Sequence, residues 1–420
     1  MPRRLAPITQ PVRLLHDGNE VIAERGEPLA AALLGAGRLS LSRSPKLHRP
    51  RGPYCLRGAC DGCLVRVDGE PNVTACLRAV RGGEQVETQN VLGSRELDLL
   101  RAADFLFPHG VDHHRLFAGV RGVSPLLQKV ARRVAGLGQL PEGPARPGTF
   151  ARVRARALIA GGGAAGLSAA RVLGPRALLA DDALTLGGSV RALDPARAGE
   201  LVQAARAAGA SLLEATAVVG LYREPHGAEG PVSALLVGPQ GTRLVVADAV
   251  VVATGEHAAA PVFANNDLPG VISARAALLL FRMGVAIGER LLLVGQGRFA
   301  AELRRAYEPH IAEALPAGGI ERAIGRSQVT GARVHAGDRS RRVPADAIAI
   351  DGPGAPAFEL AVQAGATVRF DGSGYRPQTE PNGRAAPRVW CAGSVILAGG
   401  DSIASGEHVA RQVLAALERG

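Results

Sequence analysis

Three cysteines fall within nine residues, in the stretch CLRGACDGC (55–63), and a fourth, Cys76, follows shortly after. The spacing Cys55-x4-Cys60-x2-Cys63-x12-Cys76 constrains the fold more than any other feature, because four thiols so close together need one common explanation. A [2Fe–2S] cluster needs four thiolates converging on two irons. A C-x4-C-x2-C loop wraps one side and a remote cysteine completes the set. Such wrapping needs backbone that bends freely and turns N–H groups toward the sulfides, and Gly58 and Gly62 lie inside the loop. A structural zinc site is the alternative, although its hallmark is paired C-x2–4-C knuckles and one pair here would be C-x12-C. The fifth cysteine, Cys391, stands alone in a glycine-rich turn and reads as a small buried residue.

The start, MPRRLAPITQPVRLLHDG, is basic but has no apolar core or small-residue cleavage site, and no apolar run reaches 18 residues. A cytoplasmic chain without a membrane span is expected, and a reducing compartment favours metal over disulfide for clustered cysteines. At 420 residues the chain should hold two or three cores. VRLLHDGNEVIAE (12–24) reads as a hairpin turning at Asp17-Gly18, and PLAAALLGAG (28–37) as a short helix opened by proline and closed by glycine. Two strands, in LVRVDGEPNVTAC and GGEQVETQN, follow the cysteine loop, completing a β-grasp order over residues 1–95. Residues 96–150 read as two amphipathic helices and a proline–glycine linker.

A dinucleotide unit then begins. Leu158 to Gly166 places G-x-G-x-x-G between a strand and a helix. Gly161 makes the turn, Gly163 lets backbone approach a pyrophosphate, and Gly166 permits close helix packing. The helix start, with Ala164 and Ala165, attracts the phosphates. Asp181-Asp182 follow a second strand at the distance expected for an acid on a ribose hydroxyl, and Gly187-Gly188-Ser189 supply a second close approach. ADAVVVATG (247–255) adds a buried parallel strand ending in Ala253-Thr254-Gly255, as in FAD-binding reductases. The reading is an α/β chain: an N-terminal β-grasp [2Fe–2S] ferredoxin-like domain, then a Rossmann-type FAD/NAD(P)-binding domain over 151–270 and 346–420. A reduced second nucleotide unit is expected over 271–345. That unit has Gly295-Gln296-Gly297, but no second strand ending in an acid or a phosphate-reading arginine is legible after its helix, and only about 50 residues separate the motif from the return strand at 346. A structural remnant is expected there, and NAD(P) binding is not.

Net charge is +11, which raises nucleic-acid binding. Only Lys46 and Lys129 are lysines, the arginines are dispersed, and aromatic content is 3%, too low for base-stacking platforms. Nucleic acid is therefore not an expected partner. The local run Arg43, Lys46, His48, Arg49, Arg51 reads as a docking patch or as charge balancing an anionic cluster. His109, His113 and His114 lack supporting carboxylates and read as surface or interface residues. No hydrolase signature or acid–base dyad is present.

Several stretches carry a family likeness. SRSPKLHRPRG (42–52) resembles a segment of the α subunit of heterotetrameric sarcosine oxidase. The cysteine loop with VDGEPNVTAC resembles the small [2Fe–2S] component of hydrogen cyanide synthase and of opine or hydroxyproline dehydrogenases. TAVVGLY (216–222), FANNDLPGVISARAALLL (263–280) and GGDSIASGEHVA resemble α subunits of the same group. The resemblance implies an electron-transfer subunit of a flavin-dependent dehydrogenase or oxidase of a secondary amine, imino acid or opine. Its implied partner is a D-amino-acid-oxidase-like β subunit that carries a flavin and oxidises the substrate; some members hold FMN between subunits. Carried onto this sequence, Cys55, Cys60, Cys63 and Cys76 match the cluster ligands. Gly161, Gly163 and Gly166 match the phosphate turn, Asp181 the ribose acid, and Val218 and Gly393-Ser394 further cofactor positions. The family's Gly-Asp is Gly393-Ser394 here. The rivals to this reading are a self-sufficient NAD(P)H-dependent reductase and a flavin-depleted assembly subunit.

Overall fold

The computed structural model describes residues 1–44, 48–91, 148–223, 227, 229–258, 260–337 and 339–419. The helices and linker expected within 96–150, Lys46, and His109, His113 and His114 lie outside the described residues. The chain divides into two compact units, Met1–Ala145 with Ala260–Gln296 and Ala300–Asp351, and Arg146–Ala259 with Gly297–Phe299 and Gly352–Gly420.

The first unit opens with a five-stranded sheet. β1 (Pro11–His16) and β2 (Asn19–Glu24) form the expected hairpin. Its turn residues Asp17 and Gly18 both take positive φ, the tight-turn geometry that the Asp-Gly pair favours. α1 (Leu29–Gly35) follows, with Pro28 at its N-cap. β3 (Leu64–Val67), β4 (Glu70–Thr74) and β5 (Gln85–Thr88) complete the order β2-β1-β5-β3-β4, with β5 parallel to β1 and antiparallel to β3. This is the β-grasp arrangement. Val12, Leu14, Val21, Val65, Val67 and Val86 alternate inward onto α1, and Cys63 and Cys76 belong to the same core.

The second unit is built on a long strand, β6 (Phe150–Ala160), that runs into the glycine turn and α2 (Ala164–Leu173). β7 (Ala177–Ala180) and β8 (Ser211–Leu213) add parallel to β6 on one side. β9 (Ala217–Tyr222), β10 (Val232–Gly238) and β11 (Gly241–Val252) form an antiparallel meander whose last strand runs parallel to β6. The short strand Val389–Cys391 joins β11 in parallel, and the C-terminal helix Ser402–Arg419 packs with α2 on one face. Buried on both sides, Val250, Val251 and Val252 form the apolar run that a central parallel strand requires.

Residues 260–296 and 300–351 belong to the first unit. β12 (Val271–Ser273) enters α3 (Ala274–Arg282), and β13 (Leu291–Val294) enters α4 (Arg298–Tyr307). β14 (Ile311–Leu315), an antiparallel trio β15 (Ile320–Gly325), β16 (Val329–Ala336) and β17 (Arg339–Val343), and β18 (Ala347–Ile350) follow. The parallel order is β12-β18-β13-β14. A second strand follows the Gly295 helix, and it ends at Leu315 before Pro316, without the terminal acid or arginine whose absence was read from the sequence. It was hidden because Ile311–Leu315 is only five residues and lacks a terminal acid.

This segment carries the β-grasp domain. Arg3 and Arg4 pair antiparallel with Ala286 and Val285, Ser273 N–H donates to the Tyr54 carbonyl at 3.0 Å, and Tyr54 packs on the apolar core of the segment. Part of the basic run points inward. Arg43 is buried with its Nη1 on the His48 carbonyl, while Arg49 and Arg51 reach the two oxygens of Asp267 at 2.8 and 2.6 Å. Among the described residues, these arginines join parts of one unit. An exposed pair contributes less than about 1 kcal/mol, but one carboxylate here serves two guanidiniums. Asp267→Ala is expected to lower the melting midpoint by about 2–4 °C, with a smaller loss at high salt. Thermal denaturation at two ionic strengths checks this.

Candidate functional site

The cysteine loop is made of backbone that most residues avoid. Leu56 and Gly58 both take positive φ, and a methyl on Gly62 would overlap the Gly52 carbonyl oxygen, so Gly62 is required for close approach. The loop aims amide groups at sulfur. Arg57 N–H donates to Cys55 Sγ at 3.3 Å and Gly58 N–H to Cys76 Sγ at 3.2 Å. Gly62 N–H reaches Cys60, and Ala75 N–H reaches Cys63. Cys55, Cys63 and Cys76 are buried, while Cys60 is half-buried.

The thiols are paired two and two, Cys55 with Cys60 and Cys63 with Cys76. In each pair one sulfur donates to the other. The hydrogen bond from Cys55 holds Cys60 down to about 5, and that from Cys76 holds Cys63 below the ordinary thiol range. Cys55 and Cys76 are pushed up, by that same hydrogen bond and by burial. Among the described residues no three or more His, Cys, Asp or Glu side chains are grouped around one ion position. Two pairs, ringed by N–H donors, fit a binuclear cluster, whose four protein ligands divide two to each iron. Burial raises the neighbouring Tyr54 phenol above its ordinary range, and negative charge on Cys60 and Cys55 raises it further.

In the second unit the glycine positions gather at the carboxyl ends of the parallel strands. Gly161 N–H donates to the Ala180 carbonyl at 2.9 Å, and a Cβ there would overlap the Ala253 carbonyl. A Cβ on Gly166 would overlap the Gly161 carbonyl, so α2 can approach the strand only with glycine there. Gly163, the N-cap of α2, is different: nothing lies within 4 Å of the space its Cβ would fill, and no side chain caps the helix. An open cradle at an uncapped helix start, with Ala164 and Ala165 next, suits an anion. Gly187 N–H reaches the Gly162 carbonyl at 2.8 Å, and Gly188 lies against Gly163 (2.9 Å from its absent Cβ), with Ser189 following. Asp181 takes the Gly162 and Ala183 N–H groups, while Asp182 continues from it. Thr216 N–H donates to the Asp181 carbonyl at 2.7 Å, which leads the chain beside the acid and on to Val218. Ala253, Thr254 and Gly255 end β11, with Thr254 Oγ1 on the Ala357 carbonyl at 2.6 Å.

Gly393 packs on Ala165 and donates to Ser405 Oγ at 3.0 Å, bringing the C-terminal turn to α2. The Ser394 carbonyl accepts from Arg376 Nη1 at 2.8 Å, and Arg376 also pairs with Asp371 at 2.7 Å. Sequence reasoning missed Arg376, Ser405 and also Arg191, whose stem lies over Gly187 and whose charge interacts with Asp181. No local motif marks them, since each acts from another element. The hydrogen bond from the Ser373 hydroxyl, then that from Arg376, holds Asp371 below the usual carboxylate range. A lowered carboxyl stabilises the fold above its ordinary pKa of about 4 and loses that contribution as pH falls. Asp371→Asn is therefore expected to be less stable than the parent chain at pH 7 and to converge with it as the pH falls below about 4, as acid-series melting curves would show.

A β-grasp domain with two thiol pairs, on one chain with an open glycine cradle, defines a [2Fe–2S] ferredoxin-like domain joined to an FAD-binding Rossmann-like domain. Residues 9–91 match the family model described as a 2Fe-2S iron-sulfur cluster binding domain. The chain is 28% identical over 419 residues to the sarcosine oxidase subunit alpha of Rhizobium meliloti (strain 1021), covering 87% of this chain and 42% of that one. It is 33% identical over 87 residues to the hydrogen cyanide synthase subunit HcnA of Pseudomonas aeruginosa, covering 20% of this chain and 83% of that one. Among solved structures, L-proline dehydrogenase from P. horikoshii superposes with a TM-score of 0.76 at 20% identity, covering 99% of this chain and 76% of that one. T. acidophilum thioredoxin reductase superposes with a TM-score of 0.51 at 16% identity, covering 63% and 98%. The chain belongs to the family of the sarcosine oxidase α subunit and HcnA, and it spans less than half the length of the sarcosine oxidase subunits it matches. The cofactors that go with this family and fold are a [2Fe–2S] cluster and FAD. Among the described residues no helix is long and apolar enough to cross a membrane.

Proposed function

We propose that this chain is the electron-transfer subunit of a heteromeric, flavin-dependent oxidoreductase acting on the CH–NH group of a secondary amine, imino acid or opine. The observation that carries the reading is the presence on one chain of two amide-ringed thiol pairs and an open dinucleotide cradle. The names of its relatives, a sarcosine oxidase subunit, a hydrogen cyanide synthase subunit and an L-proline dehydrogenase, support the substrate class. When bound, a [2Fe–2S] cluster supplies one-electron transfer, and FAD joins two-electron to one-electron chemistry. Cys55, Cys60, Cys63 and Cys76 hold the cluster and supply N–H-stabilised thiolates. Gly161, Gly163, Ala164, Ala165 and Gly166 cradle the FAD pyrophosphate. Asp181 or Asp182 would take the ribose, Gly187, Gly188 and Ser189 would give a second close approach of backbone, and Val218 would be a further cofactor position. Ala253, Thr254, Gly255, Gly393 and Ser394 would be further contacts of the FAD. Substrate oxidation falls to a D-amino-acid-oxidase-like β subunit; FMN at the subunit interface is a further cofactor of some members of the family. A cytoplasmic setting goes with this reading, since a reducing compartment keeps clustered thiols available to metal.

The test is co-expression with a D-amino-acid-oxidase-like partner, followed by anaerobic addition of sarcosine, proline, hydroxyproline or an opine. The expected result is a stable complex in which one of these substrates produces the electron paramagnetic resonance signal of a reduced cluster. A complex whose partner flavin is reduced by substrate while the cluster stays oxidised would sink the relay role.

A further inference from the structure

The second glycine-rich turn, Gly295-Gln296-Gly297, has the glycines of a nicotinamide dinucleotide site, and the residues around it do not fit one. The two turns of this chain share one hydrogen bond and one close backbone approach, which match their positions. In the first, Gly161 N–H donates to Ala180, the last residue of β7, and the Gly161 Cβ position abuts the carbonyl of Ala253, just past β11. In the second, Gly295 N–H donates to Leu315, the last residue of β14, at 2.9 Å, and the Gly295 Cβ position abuts the carbonyl of Asp351, just past β18. Ala180 thus corresponds to Leu315, and Ala253 to Asp351.

Two differences follow from that correspondence. Where the first turn has Ala253, whose methyl leaves the start of α2 uncapped, the second has a carboxylate. Asp351 Oδ2 accepts the Ala300 N–H in the first turn of α4 at 2.7 Å. A carboxylate satisfies the N–H group and the positive end of the helix that a pyrophosphate would otherwise use, and its charge repels one. Where the first turn is followed by Asp181, the residue placed to read a ribose, the second is followed by Pro316, which has neither charge nor N–H. We infer that the second nucleotide-like segment is closed to NAD(P) by its own Asp351 and serves as the support that carries the cluster domain. This would leave the chain without an entry for electrons from NAD(P)H in that segment. The inference concerns residues 260–351 alone and stands whether or not the amine-oxidising reading holds.

Hydrogen–deuterium exchange over residues 295–302 of the full chain tests it. With NADH, NADPH or inorganic pyrophosphate at millimolar concentration, exchange of these amides is expected to be unchanged. Protection of this stretch by any of the three overturns the inference. In Asp351→Ala the Ala300 amide should exchange at least about tenfold faster, as expected when a hydrogen bond worth about 1.4 kcal/mol is lost. Asp351→Asn, which keeps an acceptor oxygen at the same place, should remain within a few-fold of the parent chain. If Asp351→Ala does not fold, the same comparison is made between the parent and Asp351→Gly, which likewise has no acceptor side chain. An Ala300 amide that exchanges at the parent rate once position 351 has no acceptor side chain shows that Asp351 does not close the site.

Discussion

In Cys63→Ser and Cys76→Ser the purified chain is expected to lose nearly all its iron and acid-labile sulfide, together with the resonance signal of the reduced cluster. Both side chains are buried in the core under α1 and partnered to each other, so either change leaves one iron with a single sulfur ligand from the protein. The loss is also a stability effect. Metal binding to a preformed thiolate site contributes folding free energy, and the small β-grasp core has few other sources of it. A decrease of about 3 kcal/mol or more, seen as an early separate melting transition, is expected for both variants. Cys60→Ser should lose the cluster with a smaller stability cost, because Cys60 is half-buried and lies outside that core. Iron and sulfide analysis with differential scanning calorimetry decides the matter. A Cys76→Ser chain with its full complement of iron would remove Cys76 from the ligand set.

Two glycines three residues apart should respond to alanine in opposite ways. In Gly166→Ala the new methyl overlaps the Gly161 carbonyl oxygen, so α2 must move off the sheet. Overpacking against immovable backbone costs about 3 kcal/mol or more, and the variant is expected to be poorly folded and to release no flavin on denaturation. Gly163→Ala meets nothing within 4 Å, and its φ of −82° is open to any residue. That chain should melt within about 1 °C of the parent. Its methyl nevertheless stands in the open cradle, so flavin content should fall at least about tenfold in a competitive reconstitution. Normal flavin content in well-folded Gly163→Ala would show that the cradle is not where the pyrophosphate lies.

Much of the site is legible before any fold is known because its elements are local. The cysteine spacing, the glycine turn with its flanking strand and helix, and the Asp-Gly hairpin are each set within about twenty residues, where steric rules and hydrogen-bond geometry leave few solutions. The β-grasp order was readable for the same reason, since alternating strands and one capped helix follow each other directly. What was not legible depends on residues distant in sequence. Nothing near Arg49 or Arg51 indicates that both turn onto Asp267, more than two hundred positions away. The basic run therefore read as a docking patch or as charge balancing an anionic cluster. Likewise, the hold of Arg376 on Ser394 and of Ser405 on Gly393 exists only once three elements have converged.

The second nucleotide-like segment shows the division most clearly. Its shortness and missing acid could be read directly, and they were enough to doubt a bound dinucleotide. The strand β14 could not be read, because five residues carry too little periodicity to stand out. Nor could Asp351 be singled out, being one acid among many until β18 delivers it to the start of α4. By itself, then, the sequence determined which residues could bind metal and phosphate, because those capacities reside in side-chain chemistry and short-range backbone freedom. Only the tertiary structure decided which glycine turn stays open and which is filled by the protein's own carboxylate, since an electrostatic contact depends on distance in space and not along the chain.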